Sequence, residues 1–232
     1  KLGVSGTLSL DELEAKWYLV GRREETAPSC YMYSSGNGKK IASREIEQVL
    51  DGYTDDQLAT TTVDGITLDK VGLVFYHFPN ETYLFNVTLA ESQGVDNAWS
   101  LVKTGVNNDN YRARNFVRDP RVGDWVVGDK NNSSIGIFDK TVATQYDEIA
   151  EWLLFTPFLK LETLSIDQLE IETIPGIVND IEDATVFVSR TDNGRTYGEE
   201  WTQLYGDQWQ YSQRFYIRRF GFEPLPHQSM EC

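Results

Sequence analysis

Apolar and polar positions alternate along much of this chain in short runs, and turn-forming dipeptides separate the runs. Alternation at every step is the pattern of half-buried β-strands, whose side chains point to opposite faces in turn. Asn37-Gly38, Asp51-Gly52, Asp64-Gly65 and Asn193-Gly194 are hairpin-type pairs, because Asn, Asp and Gly tolerate the left-handed backbone that tight turns need. Between such signals the pattern predicts strands near 17–23, 29–35, 41–50, 58–63, 66–78, 82–90, 97–104, 111–118, 123–128 and 134–139, with others near 184–190 and 208–220. Regular short strands joined this way predict a mainly β chain, an antiparallel barrel or sandwich.

One stretch breaks the rhythm. Tyr146, Ile149, Ala150, Leu153 and Leu154 have helical spacing up to Pro157. Ser165-Ile166-Asp167-Gln168 reads as a capping box, and Pro175-Gly176 as a stop. Residues 143–181 are therefore predicted as a partly helical insert in a single domain spanning 1–232. Elsewhere the pattern assigns faces. If Asn86 points to solvent, Tyr83, Phe85, Val87 and Leu89 face inward together. Val71–Phe78 is apolar on both faces, which requires cover on both sides, by a subunit partner or by the insert.

Charge narrows the function classes. The 232 residues carry a formal net charge of −15. A phosphate backbone selects a basic face, so nucleic acid is excluded as a partner. No apolar run is long enough for a membrane-spanning helix. The first residue is Lys1, with no initiator Met or apolar leader before it, which reads as a mature form after signal removal. Asparagines 80, 86, 131 and 132 each open an Asn-x-Ser/Thr sequon, so they are predicted to carry glycans in an exported protein. In that setting the two cysteines, Cys30 and Cys232, are expected to form one disulfide.

The stretch Leu13-Glu14-Ala15-Lys16-Trp17-Tyr18-Leu19-Val20, behind the acidic lead-in Asp11-Glu12, resembles the opening motif of lipocalins. That family places Gly two residues before the Trp, where this chain has Ala15. The resemblance implies an up-and-down β-barrel behind a short N-terminal helical turn. In it Trp17 closes one end, and Arg214 or Arg218 stacks on Trp17 from the last long strand. A bridge from the C-terminal tail to the barrel is also usual in that family. Acidity, sequons and aromatic content further resemble the egg carotenoproteins of gastropods (perivitellins).

A catalytic set is not apparent. The sequence has no Gly-x-Ser-x-Gly elbow, phosphate loop or dinucleotide fingerprint. Its two histidines, His77 and His227, lack ligand partners at metal-binding spacing, and Asp51, Asp55 and Asp56 fit a calcium loop only loosely. The leading expectation is thus a non-enzymatic secreted glycoprotein, homo- or hetero-oligomeric, that needs no cofactor. It would carry a small apolar ligand such as a carotenoid in a cavity lined by Tyr31, Tyr33, Phe75, Tyr83, Phe85, Trp99, Tyr111 and Trp125. A storage glycoprotein without a specific ligand is the first alternative, and a secreted hydrolase using paired carboxylates the second.

Overall fold

The computed structural model describes residues 2–23, 26–107, 109–121, 123–139, 142, 144–149, 153–156, 165–172, 185–191, 193, 195–206, 209–212 and 214–222. The chain divides into two compact units, Lys1–Glu151 and Trp152–Cys232. The boundary falls inside the stretch predicted as an insert.

In the first unit the strands run β1 (Leu2–Val4), β2 (Leu10–Leu13), β3 (Lys16–Arg23), β4 (Ser29–Ser34) and β5 (Asn37–Lys40). Helices α1 (Arg44–Asp51) and α2 (Asp55–Leu58) follow. Then come β6 (Thr62–Leu68), β7 (Val71–His77), β8 (Thr82–Asn86), helix α3 (Val87–Gln93), β9 (Trp99–Thr104) and β10 (Asp109–Asn110). The series ends with β11 (Ala113–Arg118), β12 (Trp125–Asp129), β13 (Ile135–Phe138), β14 (Thr144–Gln145) and β15 (Glu148–Ile149). The second unit contains β16 (Ser165–Ile171), β17 (Thr185–Val188), β18 (Trp201–Leu204) and β19 (Phe215–Phe222).

The chain is mainly β, with antiparallel pairing throughout the described strands and few helices. The expected closed barrel does not form among the described residues. Strands β1–β5 make one open sheet, β6–β10 a second in the order β10-β9-β8-β7-β6, and β11–β13 a third. Each sheet is a run of consecutive strands with its own edges, so none curls round to pair first strand with last.

Two apolar layers hold the sheets together. Tyr18, Val20 and Cys30 of the first sheet meet Val74, Tyr76, Phe85 and Val87 across one layer, which Ile46 and Leu50 of α1 help to fill. The opposite face of the second sheet, with Ile66 and Phe75, meets Tyr111, Ala113, Phe116 and Val127 of the third-sheet segment. The second sheet is thus the middle of a three-sheet stack. This explains why β7 is apolar on both faces: the first and third sheets cover it, where a subunit or residues 143–181 were expected.

Local chemistry moved several predicted boundaries. Where the pattern predicts a strand over 41–50, Ser43 accepts from the Ile46 amide at 3.4 Å and starts α1. Ile46 and Leu50, four residues apart, are its buried stripe. The predicted strand 66–78 is a hairpin, turned by Asp69 and Lys70 with φ of 49° and 70°. The turn lacks the glycine that usually marks such a bend. Asp64-Gly65, predicted as a turn, lies inside β6. The predicted strand 82–90 ends at Asn86, whose side-chain oxygen accepts from the Leu89 amide at 2.9 Å and caps α3.

In the second unit β16 pairs with β19, and β17 with β18. Phe215 is buried there, stacked 4.9 Å from Tyr205. The helical elements predicted near 146–154 and 165–168 are the β14–β15 hairpin and strand β16 where described; Ala150, Pro157, Pro175 and Gly176 lie outside the described residues.

Candidate assembly interface

The contact between the second and third sheets is an aromatic stack around a buried histidine. Phe75 lies 4.7 Å from Phe116 and 5.8 Å from Tyr111, ring centroid to centroid, with the rings nearly parallel. His77, two residues along β7 on the same face, is fully buried beside them. Its Nδ1 lies 3.2 Å from the Thr82 hydroxyl. Its Nε2 lies 3.1 Å from Asp64 Oδ2, though out of line for a well-formed hydrogen bond. The same carboxylate oxygen accepts from the Asn115 amide at 3.0 Å, at the bulge that bends β11.

Burial lowers the His77 pKa below its ordinary value, against an opposing pull from Asp64; Arg114 and Lys130 add to the lowering. The folded protein therefore holds His77 neutral. As pH falls through about 6.5, the unfolded chain takes up a proton that the folded chain does not, and stability drops. The urea midpoint of the wild type is expected to fall between pH 7.5 and pH 5.5, and that part of the fall should vanish in His77→Gln. An equal fall in both proteins would rule out His77 as its source.

A second tie joins the third sheet to its surroundings. Arg112 clasps Asp129 in a bidentate pair, Nε to Oδ1 at 3.1 Å and Nη2 to Oδ2 at 2.6 Å. It also reaches Glu148 at 3.3 Å and lies 4.3 Å over the Tyr146 ring. The Asp129 side chain is fully buried. The guanidinium holds its carboxyl below the usual range, and the Asn131 amide adds to this. The Arg112 amide donates to Thr104 Oγ1 at 3.1 Å, bringing the second sheet into the tie. Gly105 has φ of +71°, and a Cβ there would collide with the Glu148 carboxylate.

Among the described residues the outer faces of the first and third sheets are exposed in part, though Leu19 and Tyr31 on the first are buried. On the first sheet Trp17 and Tyr33 pair across β3 and β4, 42% and 38% exposed, with Arg23 on the same face over Tyr31. On the third sheet Val117, Val126 and Ile137 form a row across β11, β12 and β13. Val117 is 63% exposed, Ile137 59%, and Ile135, two residues back on β13, 77%. Residues 131–138 carry no charge, although charged residues make up 25% of the chain. Edge strands are usually protected by charge or proline, and β13 has neither.

The residues predicted to line one ligand cavity are divided among these layers. Phe85 and Trp99 pack in the first, with Tyr83 half-buried at its margin and donating to Glu81 at 3.0 Å. Phe75 and Tyr111 belong to the second, where Trp125 packs and donates to the Thr67 carbonyl at 3.1 Å. The middle sheet separates the two groups. Tyr31 and Tyr33 lie on the outer face of the first sheet. These aromatics cement sheets and enclose no common space. In the second unit a cleft of about 370 Å³ is lined by Arg190, Asn193, Thr196, Tyr197, Glu199 and Trp201, a mixed polar set unlike an apolar tunnel.

Trp17 is half-exposed on an end face and plugs nothing. In the second unit Arg214 lies 3.9 Å from Glu170, and Arg218 lies 5.1 Å over Tyr216. Cys30 is a buried thiol whose pKa burial pushes up; Cys232, its predicted partner, lies outside the described residues. Asn80, Asn131 and Asn132 are exposed, while Asn86 is committed to capping α3. Among the described residues no cluster of His, Cys, Asp and Glu could hold a metal ion, and no helix is long and apolar enough to cross a membrane.

Antiparallel sheets stacked face to face, each built from a consecutive run of strands, define a layered, mainly β protein. The chain belongs to the bacteriophage P22 Gp10 family. Residues 1–143 match the family model described as Bacteriophage P22 Gp10, beta-propeller, and residues 151–224 match the one described as Bacteriophage P22 Gp10, beta-sandwich. The chain is similar to the tail hub protein gp10 of Salmonella phage P22, 27% identical over 220 residues. That match covers 94% of this chain and 45% of the relative, so the chain spans less than half the relative's length.

Membership of this family overturns the lipocalin and perivitellin resemblances. With them fall the secreted carotenoid carrier, the egg-type storage glycoprotein and the secreted hydrolase, and the extracellular location they required. The sequons at Asn80, Asn86, Asn131 and Asn132 lose the export argument that gave them meaning. The lipocalin-like motif around Trp17 was a short coincidence: an aromatic after an acidic lead-in also suits a strand on a sheet surface.

Proposed function

We propose that this chain is a structural part of a bacteriophage tail hub and has no catalytic step of its own. In this reading the three-sheet stack is an arc of a β-propeller, and residues from 152 onward form a separate β-sandwich domain. The observation that carries it is the pairing of family membership with three antiparallel sheets stacked face to face in the first unit. The tail-hub description of the P22 relative supports the location, and the two family models, meeting between residues 143 and 151, support the division into domains. The partners in this reading are other proteins of the tail and other copies of the chain.

Immunogold labelling of purified phage particles with antibodies against residues 1–232 tests the location. Label concentrated at the tail hub is the expected result. Particles that contain the protein by mass spectrometry but carry the label only on the capsid, or particles that lack it, would overturn the reading.

A further inference from the structure

We propose that the cleft in the second unit binds a neutral saccharide, holding a sugar ring between Tyr197 and Trp201. This goes beyond the structural reading above and does not depend on it.

The cleft belongs to the connection between β17 and β18. The Gly198 amide donates to the Arg190 carbonyl at 2.8 Å and closes the base of the loop. Beyond that bridge Asn193 sets the turn. Its Oδ1 accepts from the Arg195 amide at 2.8 Å and the Thr196 amide at 2.9 Å, and its Nδ2 donates to Thr196 Oγ1 at 2.9 Å. These bonds fix the backbone from which Tyr197 projects. The Tyr197 ring is 51% exposed, and Phe155 meets it edge-on at 6.4 Å. An aromatic already held in place loses little freedom when a ligand arrives. Trp201, the first residue of β18, is half-buried and supplies the second aromatic surface.

The lining selects the ligand by elimination. At about 370 Å³ the cleft lies at the small end of the range for small-molecule sites, about 300–1,000 Å³. A stable protein partner needs about 800 Å² of surface on each side, far more than one loop offers. A wholly apolar ligand would strip water from Arg190, Asn193, Thr196 and Glu199 and return no hydrogen bonds. An anion would meet exposed Glu199 on a chain of net charge −15, and a cation would meet Arg190. A hydroxyl suits both charges, since it donates to a carboxylate and accepts from a guanidinium. A sugar ring carries hydroxyls around its edge and C–H groups on its faces, and those faces match the aromatic surfaces of Tyr197 and Trp201.

An oligosaccharide array probed with the purified chain tests the site. The neutral probes are malto-, manno-, galacto- and chito-oligosaccharides; sulfated dextran and sialyl-oligosaccharides are the acidic controls. Saturable binding to at least one neutral series is the expected result. Tyr197→Ala should weaken it about tenfold while keeping the wild-type circular dichroism spectrum, because the ring is exposed. Tyr197→Phe keeps the aromatic face and should bind nearly as well as the wild type. Asn193→Ala frees the turn and should also weaken binding.

Failure of the wild type to bind any neutral series would overturn the proposal. So would binding confined to the acidic probes, or neutral binding that Tyr197→Ala leaves unchanged. Association with another tail protein that depends on Tyr197, in a chain that binds no sugar, would overturn it too and make the cleft part of a protein contact. None of these outcomes bears on where the protein sits in the particle, which the immunogold experiment decides separately.

Discussion

Phe85→Asp is expected to leave no folded protein, in contrast to Ile137→Asp, which should fold normally. Phe85 is buried in the layer between the first and second sheets, 4.8 Å from Trp99 and 6.2 Å from Tyr18 by ring centroid. Truncation alone, Phe85→Ala, removes a large aromatic from a packed site and should cost about 3–5 kcal/mol. Total stability for a protein of this kind is about 5–15 kcal/mol, so alanine alone consumes much of it. Aspartate adds an unpaired charge in an apolar layer, which is costlier still. Ile137 lies on an exposed face, where substitutions usually change stability by about 0.5 kcal/mol or less. Urea denaturation followed by tryptophan fluorescence checks both. A soluble, cooperatively unfolding Phe85→Asp protein would show that this layer is not the core.

Arg112→Ala should be the most damaging change to a polar residue. It strands the Asp129 carboxylate, which is fully buried and has the guanidinium as its main partner. The Asn131 amide still donates to it, so the loss is that of charge-assisted hydrogen bonds, about 1.5–3 kcal/mol. Arg112→Lys should recover only part of the loss, because an ammonium cannot make the bidentate contact. The double variant Arg112→Ala with Asp129→Ala should be more stable than Arg112→Ala alone, since it removes the stranded charge. If the single and double variants unfold at the same urea concentration, the pair is not coupled and the clasp contributes little.

The strands themselves were readable from alternation. Predicted segments 29–35, 97–104, 111–118, 123–128 and 134–139 overlie β4, β9, β11, β12 and β13. The two-faced character of Val71–Phe78 was readable too, because a strand covered on both sides cannot alternate. What could not be read was which sheet each strand joins. A barrel and a stack of open sheets share the same period-two pattern, and the choice depends on contacts distant in sequence, such as Ile66 with Tyr111. The aromatic list contained real core residues, Phe75, Phe85 and Tyr111 among them, but apolar lining and apolar packing look identical in one dimension. The clasp was hidden for a related reason. Arg112 stands on the predicted strand 111–118 with no acidic neighbour in sequence to mark it, and only the fold brings Asp129 and Glu148 to it. The open end face had one local signal, Ile135-Gly136-Ile137 set among uncharged residues, which patterning read as one more strand.

The order of the strands has a consequence for how the protein is made. Each sheet in the stack comes from an unbroken stretch of chain: β1–β5, then β6–β10, then β11–β13. No strand must wait for a distant one to complete its own sheet, so loop closure within each sheet stays cheap. On the ribosome, where N-terminal segments fold first, the first sheet can form while the second is still being synthesised. Its apolar face then serves as the template on which the second is laid down, and the second serves the third in the same way. Growth of this kind leaves each sheet's apolar face bare until the next is laid on it, so a nascent chain halted between β10 and β11 would present Ile66 and Phe75 to quality-control proteins.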